Sequence, residues 1–428
     1  MLSKEQNESL TRVGPGTPMG ELLRRYWYPI SFTKDLDEWP IKKVRLLGED
    51  FALWRTPQGG FGIMQERCPH RHASMVYGVV EEEGLRCGYH GWLFDCEGAC
   101  IDQPAEPDKS SFKDNITAFA GKAEELGGMV WAYIGPDPAP ELPRFDVFVD
   151  HGFKDVGHSM LPCNWLQIME NSVDPHHVEW LHGRYFQFLG EQKGFLAPPS
   201  FQKKHVRVGF DAMEWGILKR RVLEGHSETD DDWAIGHPLV FPYCMRVGGA
   251  GIDQMQIRVP VDDTHTWALF YSNHHPQGID SYPDQIYPES YEYRWIDDKG
   301  AFIVDYIEGQ DVMAWVTQGD ITDRTAEHIG KSDIGVIMLR RMFREQMALV
   351  EAGQDPTIGF TREAHERIEL PCEKNKFGAG VDFALAWLEM GSTRYSPALD
   401  TLKKIHLDAA SARGELPGQK EALEAPGQ

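Results

Sequence analysis

Two loops of this chain offer two thiolates and two imidazoles within a short span. Cys68-Pro-His70 is followed, sixteen residues later, by Cys87-Gly-Tyr-His90. Zinc accepts a Cys2His2 set, but its usual spacings pair like with like, as Cys-x2–4-Cys and His-x3–5-His. Here each loop supplies one sulfur and one nitrogen, and a single residue separates the first pair. That pattern suits a [2Fe–2S] centre of the Rieske type, in which two cysteines hold one iron and two histidines the other. Gly78, Gly84, Gly88, Gly91 and Gly98 flank the pairs and let the loops bend closely around a cluster.

A second constellation lies at 171–182, NSVDPHHVEWLH, with three histidines and two acids. Asp174 and His177 are three apart and share a helix face. His177 and His182 are five apart, which an ideal helix turns ~140° from each other. They can meet at one metal only if the helix ends, distorts or carries a π-bulge, a feature that clusters at functional sites. From these residues alone, surface histidines on the polar face of an ordinary helix are the plainer reading.

The elements that must position these groups differ between the two parts of the chain. From about 40 to 135 the sequence runs in short β segments punctuated by glycine, such as FALWR, GFGIMQ and GGMVWAYIG, which predicts a small all-β domain. Residues 1–40 read as a Gly/Pro turn and helical segment, and the Pro-rich 136–145 as a crossover that closes a first domain of 41–145. The remainder, 146–410, is mixed. A helix is expected over 163–182, strands within 203–225 and 239–275, and helices over 301–318 and 333–352. Residues 411–428 read as a flexible tail. The fold class is α+β.

Composition narrows the function. With 43 basic and 66 acidic residues the formal charge is −23, which argues against a nucleic-acid partner and against an anionic membrane surface. No run of eighteen apolar residues predicts a membrane span. The opening MLSKEQNESL lacks the apolar core of a secretion signal. An odd count of seven cysteines suits metal ligands or buried thiols in a reducing, cytoplasmic setting. Cys96 and Cys100 lie off the ligand pattern and read as structural.

Residues 68–98, CPHRHASMVYG…LRCGYHGWLFDCEG, resemble the Rieske domain of ring-hydroxylating oxygenases, and GPGTPMGELLRRYW near the start resembles the branch of the phthalate dioxygenases and aromatic O-demethylases. The resemblance implies an oxygenase (alpha) component whose second domain is a helix-grip, an antiparallel sheet with helices, holding a mononuclear Fe(II). The family motif there is Glu-Asn-x-x-Asp-x-x-His-x4-His, and ENSVDPHHVEWLH at 170–182 matches every fixed position. By that match Cys68, His70, Cys87 and His90 hold the cluster. His177 and His182 become two ligands of a 2-His-1-carboxylate site, Asn171 and Asp174 belong to the catalytic motif, and His176 is not a ligand. The carboxylate, by the context QDVMAWVTQG at 310–319, is Asp311, with Asp305 and Glu308 as alternatives.

The resemblance further implies that Asp174 links His177 to His90 of a neighbouring subunit, because the two centres within one chain are too far apart for quick electron transfer. That implies a homotrimer. An N-terminal cap ahead of Pro175 is the other role open to Asp174, and one side chain would not readily fill both. Electrons would come from NAD(P)H through a separate flavin reductase, a ferredoxin or both, since no Gly-x-Gly-x-x-Gly fingerprint follows a strand. With O2 they would oxidise an aromatic carboxylate. O-demethylation of a methoxylated, lignin-derived acid is favoured over phthalate-type cis-dihydroxylation. Arg220, Arg221, Arg246 and Arg258 are candidates for the substrate carboxylate, although arginine is mostly a surface residue. Tyr243, Trp267 and Phe270 could line the apolar part, with core packing the plainer role. A Rieske electron carrier without oxygenase activity and a zinc-stabilised binding module are the rival classes. The length beyond 145 speaks against the first and the ligand spacing against the second.

Overall fold

A computed structural model of the protein describes residues 1–107, 109–194, 199–374, 379–415 and 417–418. The tail expected from 411 is helical as far as Ala412, and residues 416 and 419–428 lie outside the described residues. No described helix is long and apolar enough to cross a membrane.

The first part is β-structured. Six antiparallel strands run in the spatial order Tyr28–Phe32, Met129–Tyr133, Ala120–Leu126, Phe61–Gln65, Glu49–Arg55 and Ile41–Leu46. A second sheet has four short strands, Val79–Glu81, Gly84–Arg86, Leu93–Phe94 and Cys100–Asp102; the Cys87–His90 loop joins its second and third strands, and the Cys68–His70 loop leads into it from Phe61–Gln65. The segment 1–40, expected as helical, holds the helices Lys4–Thr11, Pro18–Leu23 and Asp35–Glu38, and also contributes the strand Tyr28–Phe32. The five residues of that strand are all buried, so it reads equally as a buried helix segment by periodicity. Within GPGTPMGELL, Thr17 caps the helix by accepting from Gly20 N–H. A Cβ at Gly20 would meet the carbonyl oxygens of Gly14 and Val13 at 2.2 and 2.5 Å, so the turn closes only on glycine.

The second part is built on an eight-stranded sheet. Its order is His205–Met213, Gly216–Leu223, His237–Val240, Cys244–Gly249, Ile252–Pro260, Thr266–His274, Phe153–Leu161 and Glu289–Glu292. All pairings are antiparallel except the last, which is parallel. Helices Trp165–Ser172, Ile307–Val316 and Ile334–Glu351 accompany it, followed by Gly380–Met390 and Leu399–Ala412. One buried cluster joins the six-stranded sheet to this part through Tyr28, Trp131, Phe148, Trp165, Met255 and Phe343. A separate small core, with Trp54, Met64, Leu85 and Phe94, surrounds Cys68 and Cys87. The strands Ile41–Leu46, Glu49–Arg55 and Phe61–Gln65 supply residues to both cores, so the cluster loops pack against the same sheet that the larger core uses.

Candidate metal centres

The two Cys/His loops have the same backbone design. His72 N–H donates to the Cys68 carbonyl at 2.9 Å, and Gly91 N–H to the Cys87 carbonyl at 3.0 Å. Each donor lies four residues after its cysteine and is left-handed, with φ of 59° and 76°. Glycine takes that conformation freely, and histidine is among the residues enriched there. The turns bury Cys68 and Cys87 at 1% and 3% exposure and set the His70 and His90 rings 4.5 Å apart at 66° on the partly exposed rim. Trp92 stacks on His70 at 4.4 Å and 8°. His70 Nδ1 is buried without a hydrogen-bond partner, a costly state that a metal bond relieves. Burial first, and then the neighbouring Cys87, push the Cys68 thiol up to about 12; a metal ligated there displaces that proton. Two buried sulfurs beneath two rim imidazoles fit a Rieske cluster.

The second centre follows from a change of helix type. Trp165–Ser172 is an α-helix capped by Asn164, whose side chain accepts from Leu166 N–H at 3.1 Å. After a turn, Val178–Tyr185 is π-helical. Hydrogen bonds in a π-helix run between residues five apart, so residues with that spacing come onto one face. His177 and His182 have that spacing, and their rings stand 5.3 Å apart at 79°. Asp311, from Ile307–Val316, completes the set. Its Oδ1 is 3.2 Å from His182 Nε2 and 4.0 Å from His177 Nε2. Ligands bonded at about 2.1 Å to one ion lie about 3 Å or more from each other, so the three atoms already frame a metal. Asp311 Oδ1 and His177 Nδ1 are buried and unpartnered. Burial holds His177 neutral, pushing it down to about 4. Burial also disfavours charge on Asp311, but His182 outweighs it and keeps the carboxyl below its ordinary range. Asp305 instead pairs with Arg394 at 3.1 Å. Glu308 accepts from Ser392 Oγ at 3.1 Å and is pushed up to about 7 by burial.

Both histidines turn Nδ1 away from the centre. His182 Nδ1 lies 2.9 Å from Gln310 Oε1, and Gln310 Nε2 donates to the Val304 carbonyl at 3.0 Å. The anchored amide oxygen can only accept, which fixes the proton on Nδ1 and frees Nε2 for metal. Asp174 divides its two oxygens. Oδ1 accepts from His176 N–H at 2.8 Å, closing the turn. Oδ2 faces His177 Nδ1 at 3.8 Å, too far for a hydrogen bond. The side chain is 33% exposed. The turn-closing hydrogen bond thus uses Oδ1 alone and leaves Oδ2 without a hydrogen bond to His177. Asn171 supplies its carbonyl to Asp174 N–H at 3.0 Å within the same turn.

Glu170, a fixed motif position with no role readable from sequence, anchors the segment. Its buried carboxylate accepts from Arg324 Nη2 at 2.7 Å and from Arg340 Nε at 2.6 Å, and Arg340 also binds Glu327. Burial raises this carboxyl, but the two guanidinium groups prevail and hold it low. Lys219, missed as well, is buried and donates to the Ser172 carbonyl at 2.8 Å; burial pushes it down to about 7. Its neighbour-blind strand context gave no signal.

The four arginines separate clearly. Arg220 binds Asp211 at the surface. Arg221 pairs with Asp232 at 2.9 Å. Arg246 lies between Asp253 at 2.8 Å and Asp146 at 3.4 Å. Arg258 is 2% exposed and donates to the Gln256 carbonyl at 2.8 Å and Gln256 Oε1 at 2.6 Å. It has no carboxylate within ion-pair distance among the described residues. Burial pushes it down to about 10, and Asp311 is among the charges that act on it. Tyr243 stacks on Tyr28 at 4.4 Å and Trp267 packs on Phe32 at 5.6 Å, both as core. Phe270 packs on Tyr293 at 5.3 Å within the buried cluster beside the Ile307–Val316 helix.

Comparison with known proteins agrees with this division. Residues 26–116 match the Rieske [2Fe-2S] domain family, and 263–396 match a family described as LigXa C-terminal domain like. The chain is 42% identical over 361 residues to the 5,5'-dehydrodivanillate O-demethylase oxygenase subunit of Sphingobium sp. (strain NBRC 103272 / SYK-6), covering 83% of each chain. It is 31% identical to the phthalate 4,5-dioxygenase oxygenase subunit of Pseudomonas putida, covering 94% of this chain and 97% of that one. Among solved structures, an NdmA variant of Pseudomonas putida CBB5 with theobromine has the same fold, with a TM-score of 0.57, 20% identity, and coverage of 81% and 99%.

Proposed function

The chain belongs to the Rieske non-haem iron oxygenases as an oxygenase component, and from that premise we propose that it O-demethylates a methoxylated aromatic carboxylate. The observation that carries this reading is a buried guanidinium, Arg258, that feels the charge of Asp311 in the His177–His182–Asp311 centre and has no carboxylate within ion-pair distance among the described residues. The 42% identity to a subunit that demethylates 5,5'-dehydrodivanillate supports the ether over the ring as the point of attack.

Cys68, His70, Cys87 and His90 hold the cluster, and His177, His182 and Asp311 hold the mononuclear iron. When bound, the cluster supplies single electrons and the mononuclear iron supplies dioxygen activation. The residues do the rest. Gln310 fixes the His182 tautomer, and Asp174 Oδ2 places a negative charge 3.8 Å from His177 Nδ1 on a side chain that is 33% exposed. Arg258 takes the substrate carboxylate in its planar fork, which sets the distance between carboxylate and methoxy carbon. Overall, an aryl methyl ether, O2, two electrons and two protons give a phenol, formaldehyde and water.

Asp174 is also the contact through which an electron arrives from His90 of a second subunit, in a homotrimer closed by one repeated heterologous interface. Exposed aromatics at both surfaces support burial on assembly: Tyr77 and Tyr89 beside the cluster loops are 83% and 58% exposed, and Trp180 beside the iron site is 64% exposed. A ferredoxin, a flavin reductase or both deliver the electrons from NAD(P)H. Seven free cysteines accord with work in the cytoplasm.

The test is product analysis with a generic reductase, NADH and O2. Methoxylated aromatic acids, 5,5'-dehydrodivanillate among them, should release formaldehyde in step with NADH use. Phthalate should give little diol. Diol formation without formaldehyde would replace this reading with ring dihydroxylation, which the phthalate 4,5-dioxygenase relative represents.

A further inference from the structure

A second group of metal-binding side chains stands directly beside the iron site. His176, Glu179 and His205 each present one ligand atom, and the three atoms lie within 4.8 Å of one another. They are distinct from His177, His182 and Asp311, which form their own set under the same geometry. His176 precedes His177 in the chain, and Glu179 is three residues on, in the π-helical segment. His205 comes from the far side, at the start of the strand His205–Met213.

His205 makes this more than a cluster of polar residues. Its side chain is 1% exposed, and both ring nitrogens are buried without a hydrogen-bond partner. A neutral imidazole has one donor and one acceptor nitrogen, and leaving both unmade when buried is costly. Glu179 is nearby but does not meet the need. Its Oε2 accepts from His205 backbone N–H at 3.2 Å and stays 3.7 Å from Nδ1. The His176 ring sits 5.5 Å from that of His205 at 61°, so the two imidazoles converge without touching.

We propose that His176, Glu179 and His205 form a second divalent-cation site, for an ion of the zinc class, that ties the iron-bearing segment to the sheet. Two imidazoles and one carboxylate are a donor set for borderline divalent ions. The ion would satisfy one nitrogen of His205 and would clamp 176–179 against the His205–Met213 strand. His177 lies inside that clamp, so the site positions an iron ligand and takes no part in the oxidation. Arg221 also acts on His205, but its charge is countered by Asp232 at 2.9 Å.

The test counts metals in the full-length, iron-loaded protein. Excess Zn2+ is added, loosely bound ion is removed by gel filtration, and zinc and iron are measured together. About one zinc per chain, as three protein ligands would hold, should enter with no loss of iron. His176→Ala and Glu179→Gln should each abolish that zinc while the cluster's visible spectrum stays unchanged. His176 is only partly buried, so its loss leaves the core intact. Zinc that enters only as iron leaves belongs to the His177 site, and zinc uptake indifferent to both substitutions belongs to neither; either result overturns the proposal. So does a protein that binds no zinc, in which case the three residues are a polar contact only. None of these outcomes depends on whether the substrate is a methyl ether.

Discussion

At the scale of single residues, the chemistry depends on which atom of each side chain faces which neighbour. Gln310 touches no metal, yet its oxygen decides which His182 nitrogen is free. Gln310→Leu should weaken mononuclear iron binding by ~10–100-fold, the usual cost of removing such a partner, with the cluster spectrum unchanged; Fe(II) titration of the iron-stripped site measures it. Asp174→Asn keeps the cap, because the amide oxygen still accepts from His176 N–H, but removes the charge from Oδ2. Both metals should remain while the cluster's reoxidation by the mononuclear site, followed by stopped-flow absorbance, slows by orders of magnitude. Wild-type reoxidation would show that the charge is not needed. Arg258→Gln should raise KM for an aromatic acid by ~10–100-fold, since one charged hydrogen bond contributes about 1.5–3 kcal/mol. An uncharged methoxyarene should not notice the change.

At the scale of elements, the chain was legible where chemistry fixes spacing and opaque where packing decides. Cys68-x-His70 and Cys87-x-x-His90 announce their centre because two irons must be reached from two loops. His177 and His182 do not, since five residues is the wrong interval for an α-helix; only the π-helical turn makes it the right one. The strand Tyr28–Phe32 was hidden because burial on both faces erases the alternation that marks a strand. Glu170 matched a motif, but its partners Arg324 and Arg340 lie more than 150 residues away and no local pattern points to them. Glu170→Gln would leave two buried guanidinium groups short of charge, a loss of about 3–5 kcal/mol for a broken buried pair, read in denaturant unfolding. The sign with pH also follows. The folded carboxyl titrates below its ordinary value, so its contribution is complete above about pH 4.3 and fades as pH falls further. The acid limb of unfolding should be shallower in Glu170→Gln.

At the scale of the whole molecule, one chain builds both metal centres on separate cores: for the first the small one under Cys68 and Cys87, and for the second the clusters that hold Val178 with Ile307 and Val312 with Trp315. The proposed assembly would use the exposed Tyr77, Tyr89 and Trp180. The family membership itself was legible from two motifs, because they carry the chemistry all members share. The substrate was not, because Arg258 differs from Arg246 and Arg221 only in what surrounds it after folding. The most direct test of the account is anaerobic iron and acid-labile sulfide analysis of wild type and His177→Ala, each after Fe(II) is added back. The account predicts about three irons and two sulfides per wild-type chain, for one cluster and one mononuclear ion, and about two of each in the variant. A wild-type protein that still holds only two irons, or a variant that keeps all three, would contradict it.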